Sequence, residues 1–188
     1  MSSKIAILAS GSGSNAENIV SYFANSSKFE FPVILSNKAD AFVHQRAKKL
    51  NIPSFTFSRD EFIEGKAILN LLKKYNIDYI ILAGFLLKVP AILTTEFPDK
   101  IINIHPALLP KFGGKGMYGD KVHQAVVDAK ETESGITIHY VNEHYDEGNI
   151  IFQAKCKVLP TDTAEIVASK VHALEYEHFP RVIDEIWK

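Results

Sequence analysis

The chain has 188 residues, enough for one domain with a proper core, and its 46% hydrophobic and 23% charged residues are ordinary globular composition. A formal net charge of -1 and a pI near 6.7 leave no broad cationic footprint, which argues against nucleic-acid binding. The longest apolar run, 80–87, is interrupted by Gly84 and too short for a bilayer; no secretory signal is visible, and one cysteine excludes an internal disulfide, so a cytoplasmic protein without membrane contact is expected.

Short apolar runs alternate with helical patterns over the first two-thirds of the chain. Segments 4–9, 31–36, 54–57, 79–82 and 101–104 read as strands, several too continuously apolar for a sheet with one wet face. Segments 16–24, 41–50, 60–75 and 90–97 read as helices, the third opened by a capping-box spacing of Ser58 and Glu61. After Pro106 the pattern changes. A glycine- and proline-rich loop (106–119) precedes a short helix at 120–129, two period-2 strands at 133–141 and 150–158, and a long helix from Asp162-x-x-Glu165 to Trp187 that contains Pro180. The fold class expected is α/β: a Rossmann-like, mostly parallel sheet with helices on both faces and antiparallel strands added in the C-terminal third. No repeat or linker divides the chain, so residues 1–188 read as a single domain, with a phosphate-binding βα half (1–105) and a second half (106–188).

Between the first strand and first helix stands Ser10-Gly11-Ser12-Gly13-Ser14-Asn15. Glycines permit a tight turn and close backbone approach, and the helix N-terminus beyond offers unpaired N–H groups and a positive dipole end, which suits an anion such as a phosphate. An ordinary serine–glycine helix cap is the alternative. Gly11-x-Gly13-x-x-Ala16 also fits a relaxed dinucleotide fingerprint, but the second strand ends in Ser36-Asn37-Lys38 where a ribose-holding acid is expected, and no Lys follows as in a nucleotide P-loop. A phosphate monoester fits better.

Asn103-Ile104-His105-Pro106 ends the fifth strand. Strand alternation puts Asn103 and His105 on one face and Ile102 and Ile104 on the other, and Pro106 stops the strand there. An amide donor beside a group that titrates near neutrality is what acyl transfer needs, although a strand-end pair satisfying loop backbone has the same spacing. Asp146, followed by Gly148 in the loop between the two late strands, could present a carboxylate at the sheet end or merely cap its own turn. His139 shares a face with Thr137 and Val141 and could line the site, but reads as packing or support. Cys156 falls on the apolar face of its strand with Phe152, Ala154 and Val158, as a core residue and not a nucleophile. The histidines have no metal-ligand spacing, and no metal is expected.

Taken together, these stretches resemble the phosphoribosylglycinamide formyltransferase family, over essentially the whole chain. The resemblance is carried by Gly11-Ser12-Gly13-Ser14-Asn15, Ser36-Asn37-Lys38-Ala39-Asp40-Ala41, Leu82-Ala83-Gly84-Phe85, Asn103-Ile104-His105-Pro106-Ala107-Leu108-Leu109-Pro110-Lys111 and Asp146-Glu147-Gly148. It implies direct formyl transfer from 10-formyltetrahydrofolate, as co-substrate and without a metal, to the amine of glycinamide ribonucleotide in purine biosynthesis. Asn103, His105 and Asp146 match the family's catalytic positions. Gly13, Ser14, Asn15, His172 and Glu175 match its ribonucleotide site. Leu86, Leu87, Lys88, Val89, Asn103, Asn142, Glu143, His144, Tyr145 and Asp146 match its folate site, so that 106–188 would be the folate and catalytic half. In these roles Asn103 and His105 would stabilise the oxyanion formed by amine attack, while Asp146 would raise the imidazole's affinity for a proton and help move the amine's proton.

Two departures from the family pattern stand out. Segment 111–120, with Gly113-Gly114-Lys115-Gly116, replaces the commoner loop and reads as a lid or as a means of placing Lys115 near the phosphate, and the chain ends soon after Trp187. No folate-holding arginine is assigned around 58–66. The partners implied are small molecules; oligomeric state is left open. The alternatives are methionyl-tRNA formyltransferase or formyltetrahydrofolate hydrolase, whose additional domains do not fit in 188 residues, and a dinucleotide-binding domain.

Overall fold

The computed structural model describes residues 2–187. In chain order the elements are β1 (Ser3–Leu8), α1 (Ser14–Tyr22), β2 (Phe29–Ser36), α2 (Val43–Lys49), β3 (Ser54–Thr56), α3 (Arg59–Glu64), α4 (Lys66–Lys74), β4 (Tyr79–Leu82) and α5 (Ala91–Glu96). They continue with β5 (Ile101–His105), α6 (Asp120–Asp128), β6 (Glu133–Tyr140), β7 (Ile150–Lys157) and α7 (Ala164–Ile186). Among the described residues the strands form one seven-stranded sheet in the order β3-β2-β1-β4-β5-β6-β7. Pairings from β3 to β5 are parallel, and β5–β6 and β6–β7 are antiparallel. This is the α/β class read from the alternation of strands and helices.

Strand alternation divides the core into two faces. Ile5, Ile7, Ile34, Ile81, Ile102 and Ile104 pack with α1, α2, α6 and α7 residues such as Ile19, Val43, Val126 and Phe179. Ala6, Leu8, Val33, Leu35, Ile80, Leu82 and Ile101 pack with Phe62, Ile68, Leu72 and Leu93 of α3, α4 and α5. Both sheet faces are therefore dry, which is why these strands are almost continuously apolar.

Two boundaries differ from the sequence reading. The helix expected over 60–75 is two helices, broken at Gly65, whose φ of 71° ends α3 and lets the chain turn into α4. The Ser58–Glu61 capping box is present in both directions, with Glu61 N donating to Ser58 Oγ (3.2 Å) and Ser58 N to Glu61 Oε2 (2.8 Å). The last helix is capped by Thr163, whose hydroxyl accepts from Ile166 N; Asp162 instead accepts from Leu159 N and pairs with Lys170. Proline inside α7 removes the N–H that would reach the Tyr176 carbonyl, and the Asn18 side chain of α1 donates to that oxygen instead (3.0 Å).

The strand order reverses direction between β1 and β4. Their carboxyl ends flank a topological switch point, the place where open α/β sheets leave a crevice for ligands. The serine–glycine turn follows β1, segment 83–90 follows β4, and β5 delivers Asn103 and His105 one strand further along.

Candidate active site

Register builds the centre. In the β5–β6 ladder Asn103 lies opposite His139 and His105 opposite Thr137, so four polar side chains share one patch of the sheet, while Ile102, Ile104, Ile136 and Ile138 enter the core behind it. Thr137, fully buried, accepts from Leu109 N (3.0 Å) and donates to Ala107 O (2.7 Å), which clamps the chain just after Pro106. Asp146 reaches the same patch from the β6–β7 loop. It adopts a left-handed φ of 56°, and Gly148 beyond it lies so close to β6 that a Cβ would stand 1.6 Å from the Tyr140 oxygen.

The carboxylate of Asp146 sits between two imidazoles: Oδ2 is 3.6 Å from His105 Nδ1, and Oδ1 is 3.6 Å from His139 Nε2. Gly114 N donates to Oδ2 (2.8 Å), and Asn103 Nδ2 lies 3.5 Å from Oδ1 and 3.1 Å from His139 Nε2. Hydrogen-bond chemistry then fixes the tautomers. His139 Nδ1 faces the Tyr140 carbonyl (2.8 Å) and carries the proton of the neutral ring, whose Nε2 then accepts from the Asn103 amide. His105 Nε2 faces the Phe112 carbonyl (2.7 Å) and is likewise the donor, so in the neutral ring the bare Nδ1 points towards the carboxylate.

Burial is the largest influence on His105 and lowers its pKa below the ordinary 6.5, outweighing Asp146, which raises it. The upward influence expected of Asp146 is present, and burial outweighs it. Asp146 is itself desolvated, but His139, His105 and the Gly114 N–H together hold its carboxyl below the ordinary 3.8. The resting pair at neutral pH is a carboxylate facing a neutral imidazole.

The second cluster lies at the serine–glycine turn. Gly13 precedes α1 with φ 71°, and a Cβ there would lie 2.4 Å from Val43 Cγ2, so only glycine fits. The first bond within the helix runs from Glu17 N to Gly13 O, which leaves the N–H groups at the start of α1 outside the helical ladder. Arg46 holds the turn by donating to Ser12 O (2.9 Å) and pairing with Glu17. From α7, buried Glu175 accepts from Asn15 Nδ2 (3.0 Å) and from His172 Nδ1 (2.9 Å), and this bond raises the His172 pKa. Asn15, His172 and Glu175 are thus brought together, with Ser14 beside them on the first turn. His123 of α6, buried and with Nδ1 unpartnered, packs its ring against His172 (centroids 6.1 Å apart); burial lowers its pKa.

A cavity of about 50 Å³ adjoins the polar centre. It is lined by Leu87, Lys88 and Val89 from segment 83–90, by Asn142, His144, Tyr145 and Asp146, and by Asn103. His139, read from the sequence as able to line the site, does so; Leu82, Phe85 and Val141 line it too, although none was singled out for it in the sequence, whereas Leu86 and Glu143 do not. A larger groove of about 780 Å³ between α6 and α7 includes His172 but none of Asn103, His105 and Asp146. The smaller cavity is the one beside groups able to do acyl-transfer chemistry.

Segment 111–120 is pinned onto the centre through Phe112 O and Gly114 N, and Lys115 is exposed. Cys156 packs against the core, and burial raises its pKa, which disfavours a thiolate. Among the described residues no group of three or more His, Cys, Asp or Glu is placed to hold a metal, and no helix is long and apolar enough to cross a membrane. The contributor that sequence reasoning undervalued is His139. Its place opposite Asn103 comes from the β5–β6 pairing, two strands separated in sequence by a loop and α6, so no local spacing signals it.

Comparison with known proteins identifies the family. The formyl transferase family matches residues 3–183. Phosphoribosylglycinamide formyltransferase of Haemophilus influenzae is 37% identical over 185 residues, covering 96% of this chain and 85% of the relative. The chloroplastic enzyme of Arabidopsis thaliana is 38% identical over 97% of this chain, which spans 65% of that relative's length. Among solved structures, glycinamide ribonucleotide transformylase 1 from Geobacillus kaustophilus superposes with a TM-score of 0.91 at 31% identity, each chain covered completely. With a family match across nearly its whole length, and a phosphoribosylglycinamide formyltransferase 37% identical over most of both chains, this chain belongs to the formyl transferase family, in its phosphoribosylglycinamide formyltransferase branch.

Proposed function

We propose that this protein transfers the formyl group of 10-formyltetrahydrofolate to the amine of glycinamide ribonucleotide, a step of purine biosynthesis in the cytoplasm. The observation that carries the reading is the convergence of Asn103, His105 and Asp146 at the carboxyl edge of the sheet, 3.5–3.6 Å apart through the carboxylate. The serine–glycine turn with Gly13, Ser14 and Asn15 takes the phosphate, and Glu175 with His172 takes the body of the ribonucleotide. Segments 86–89 and 142–146 hold the folate head. Their cavity of about 50 Å³ is smaller than a bicyclic ring, so folate binding separates them.

The chemistry follows from the donors and charges in place. The substrate amine attacks the formyl carbon and its carbonyl oxygen becomes an oxyanion. Asn103 Nδ2 is one donor to that oxygen; His105 Nε2–H is the second, exchanging the Phe112 carbonyl for it. The attacking amine must lose a proton, and the folate N10 must gain one as its bond to the formyl carbon breaks. Asp146 and His105 Nδ1 form the path: a proton arriving between them turns two facing acceptors into a charge-assisted pair. Tetrahydrofolate leaves, and the formylated ribonucleotide remains. Positioning two bound substrates supplies much of the rate, and no step calls for a metal.

We read residues 1–188 as one formyltransferase domain acting on small molecules. Residues 1–105 contribute the phosphate turn and 106–188 contribute Asp146 and Glu175; the centre is assembled across their join. Two readings remain as rivals, another 10-formyltetrahydrofolate-dependent enzyme and a dinucleotide-binding domain. The discriminating experiment compares initial rates with glycinamide ribonucleotide and with the dephosphorylated glycinamide riboside. Saturable transfer to the ribonucleotide, with a much higher Michaelis constant for the riboside, supports the reading. Equal use of both acceptors overturns the phosphate site, and formyl release that ignores either acceptor overturns the transferase.

A further inference from the structure

Ser10 is 2% exposed and lies between the end of β1 and the phosphate turn. Its Oγ accepts from Leu86 N (2.9 Å) and donates to Asn37 Oδ1 (2.5 Å), and its backbone N donates to Gly84 O (3.0 Å). The single hydroxyl proton has one acceptor and one of the two lone pairs has a donor, so the rotor is committed. Leu86 is a residue of the segment whose neighbours Leu87, Lys88 and Val89 line the cavity, although its own side chain does not. One buried hydroxyl thus joins the carboxyl ends of β1 and β2 to the loop after β4, across the switch point of the sheet.

We infer that Ser10 is a positioning residue for the folate-binding loop: it sets the height of segment 86–89 against the sheet, with Asn37 orienting its hydroxyl. This rests on the reading of segment 86–89 as part of the folate site. Backbone elsewhere in the loop is carried by strand-like bonds, such as Ala83 N to Leu8 O (2.9 Å), that hold the base of the loop but not Leu86. Removing the hydroxyl frees the Leu86 N–H and lets the loop lip drift, without touching Asn103, His105 or Asp146. The expected signature is weaker folate binding with the chemical step intact.

In Ser10→Ala the Michaelis constant for 10-formyltetrahydrofolate rises about 5- to 20-fold, the range for a half-buried N–H that loses its partner, while kcat and the ribonucleotide constant change by less than about twofold. Asn37→Ala shifts the same constant in the same direction by less, because the hydroxyl remains. A readout that needs no activity is amide hydrogen exchange. Leu86 N–H exchanges faster in Ser10→Ala, while the β1, β4 and β5 amides keep their protection. Unchanged folate affinity, a fall in kcat at constant Michaelis constants, or an unchanged Leu86 exchange rate overturns the inference. Global loss of protection in Ser10→Ala would assign the hydroxyl to the fold and overturn it too, unless Asn37→Ala, still folded, shows the selective folate effect. Absence of transfer by the unaltered protein would instead overturn the function, and the exchange of Leu86 would still decide the role of Ser10.

Discussion

Asp146→Asn removes one charge from the centre and keeps the shape. The amide oxygen can still accept from Gly114 N, so loop 111–120 stays seated and the fold is retained. At 3.6 Å from His105 Nδ1, and with an effective dielectric near 20, a carboxylate attracts an imidazolium by roughly 4–5 kcal/mol before desolvation is counted. Burial already outweighs that attraction and leaves His105 below 6.5. Without the carboxylate the imidazole falls further, because the group that raised its pKa is gone. The proton path loses its anchor, and kcat drops by about 100- to 10,000-fold, the usual worth of a positioned acid–base group. The pH profile supplies the sign. In the unaltered enzyme, kcat/KM falls on the acid side with a midpoint below 6.5, as His105 is protonated; in Asp146→Asn that limb moves to still lower pH. Steady-state transfer measured across the neutral and acid range gives both numbers. A rate within about threefold of the unaltered enzyme, or an acid limb displaced upwards, refutes the assigned roles.

Other substitutions test the remaining parts. Asn103→Ala removes one oxyanion donor and should lower kcat about 100- to 1,000-fold with little change in either Michaelis constant, read by steady-state kinetics on protein whose thermal midpoint is checked. Gly13→Ala must place a Cβ 2.4 Å from Val43 Cγ2 at a φ of 71°, so it should lower the thermal midpoint and weaken ribonucleotide binding measured by calorimetry more than folate binding. Acid stability follows Asp146: its folded carboxyl lies below 3.8, so its contribution is present above that pH and is lost as pH falls through the folded value, a loss that Asp146→Asn should lack when unfolding is followed against pH.

How much of this was legible in the sequence depended on whether the cause was local. Strand alternation around Ile102, Asn103, Ile104 and His105 fixes which groups face together, and the structure puts them on opposite sides of the sheet as that period requires. The Ser58–Glu61 box was readable because a cap is set by side chains three residues apart. The break at Gly65 was missed because a helical pattern continues across it, and only the positive φ, with Ile92 and Pro90 packed where a Cβ would be, forces two helices. His139 and Ser10 were undervalued for a different reason. Their roles come from register and from strand order, Asn103 against His139 and β1 between β2 and β4, which no local spacing reveals. The net pKa of His105 was not legible, because the sequence shows a charged neighbour but not the burial that outweighs it.

The central proposal is direct transfer at a centre made by Asn103, His105 and Asp146. Its sharpest test is stoichiometry: tetrahydrofolate formed and formylated ribonucleotide formed, measured in the same reaction with and without glycinamide ribonucleotide. The expected result is one product per tetrahydrofolate when the acceptor is present and no tetrahydrofolate when it is withheld. Release of tetrahydrofolate without acceptor, at a rate comparable to that with it, would show that water takes the formyl group and would contradict the proposal.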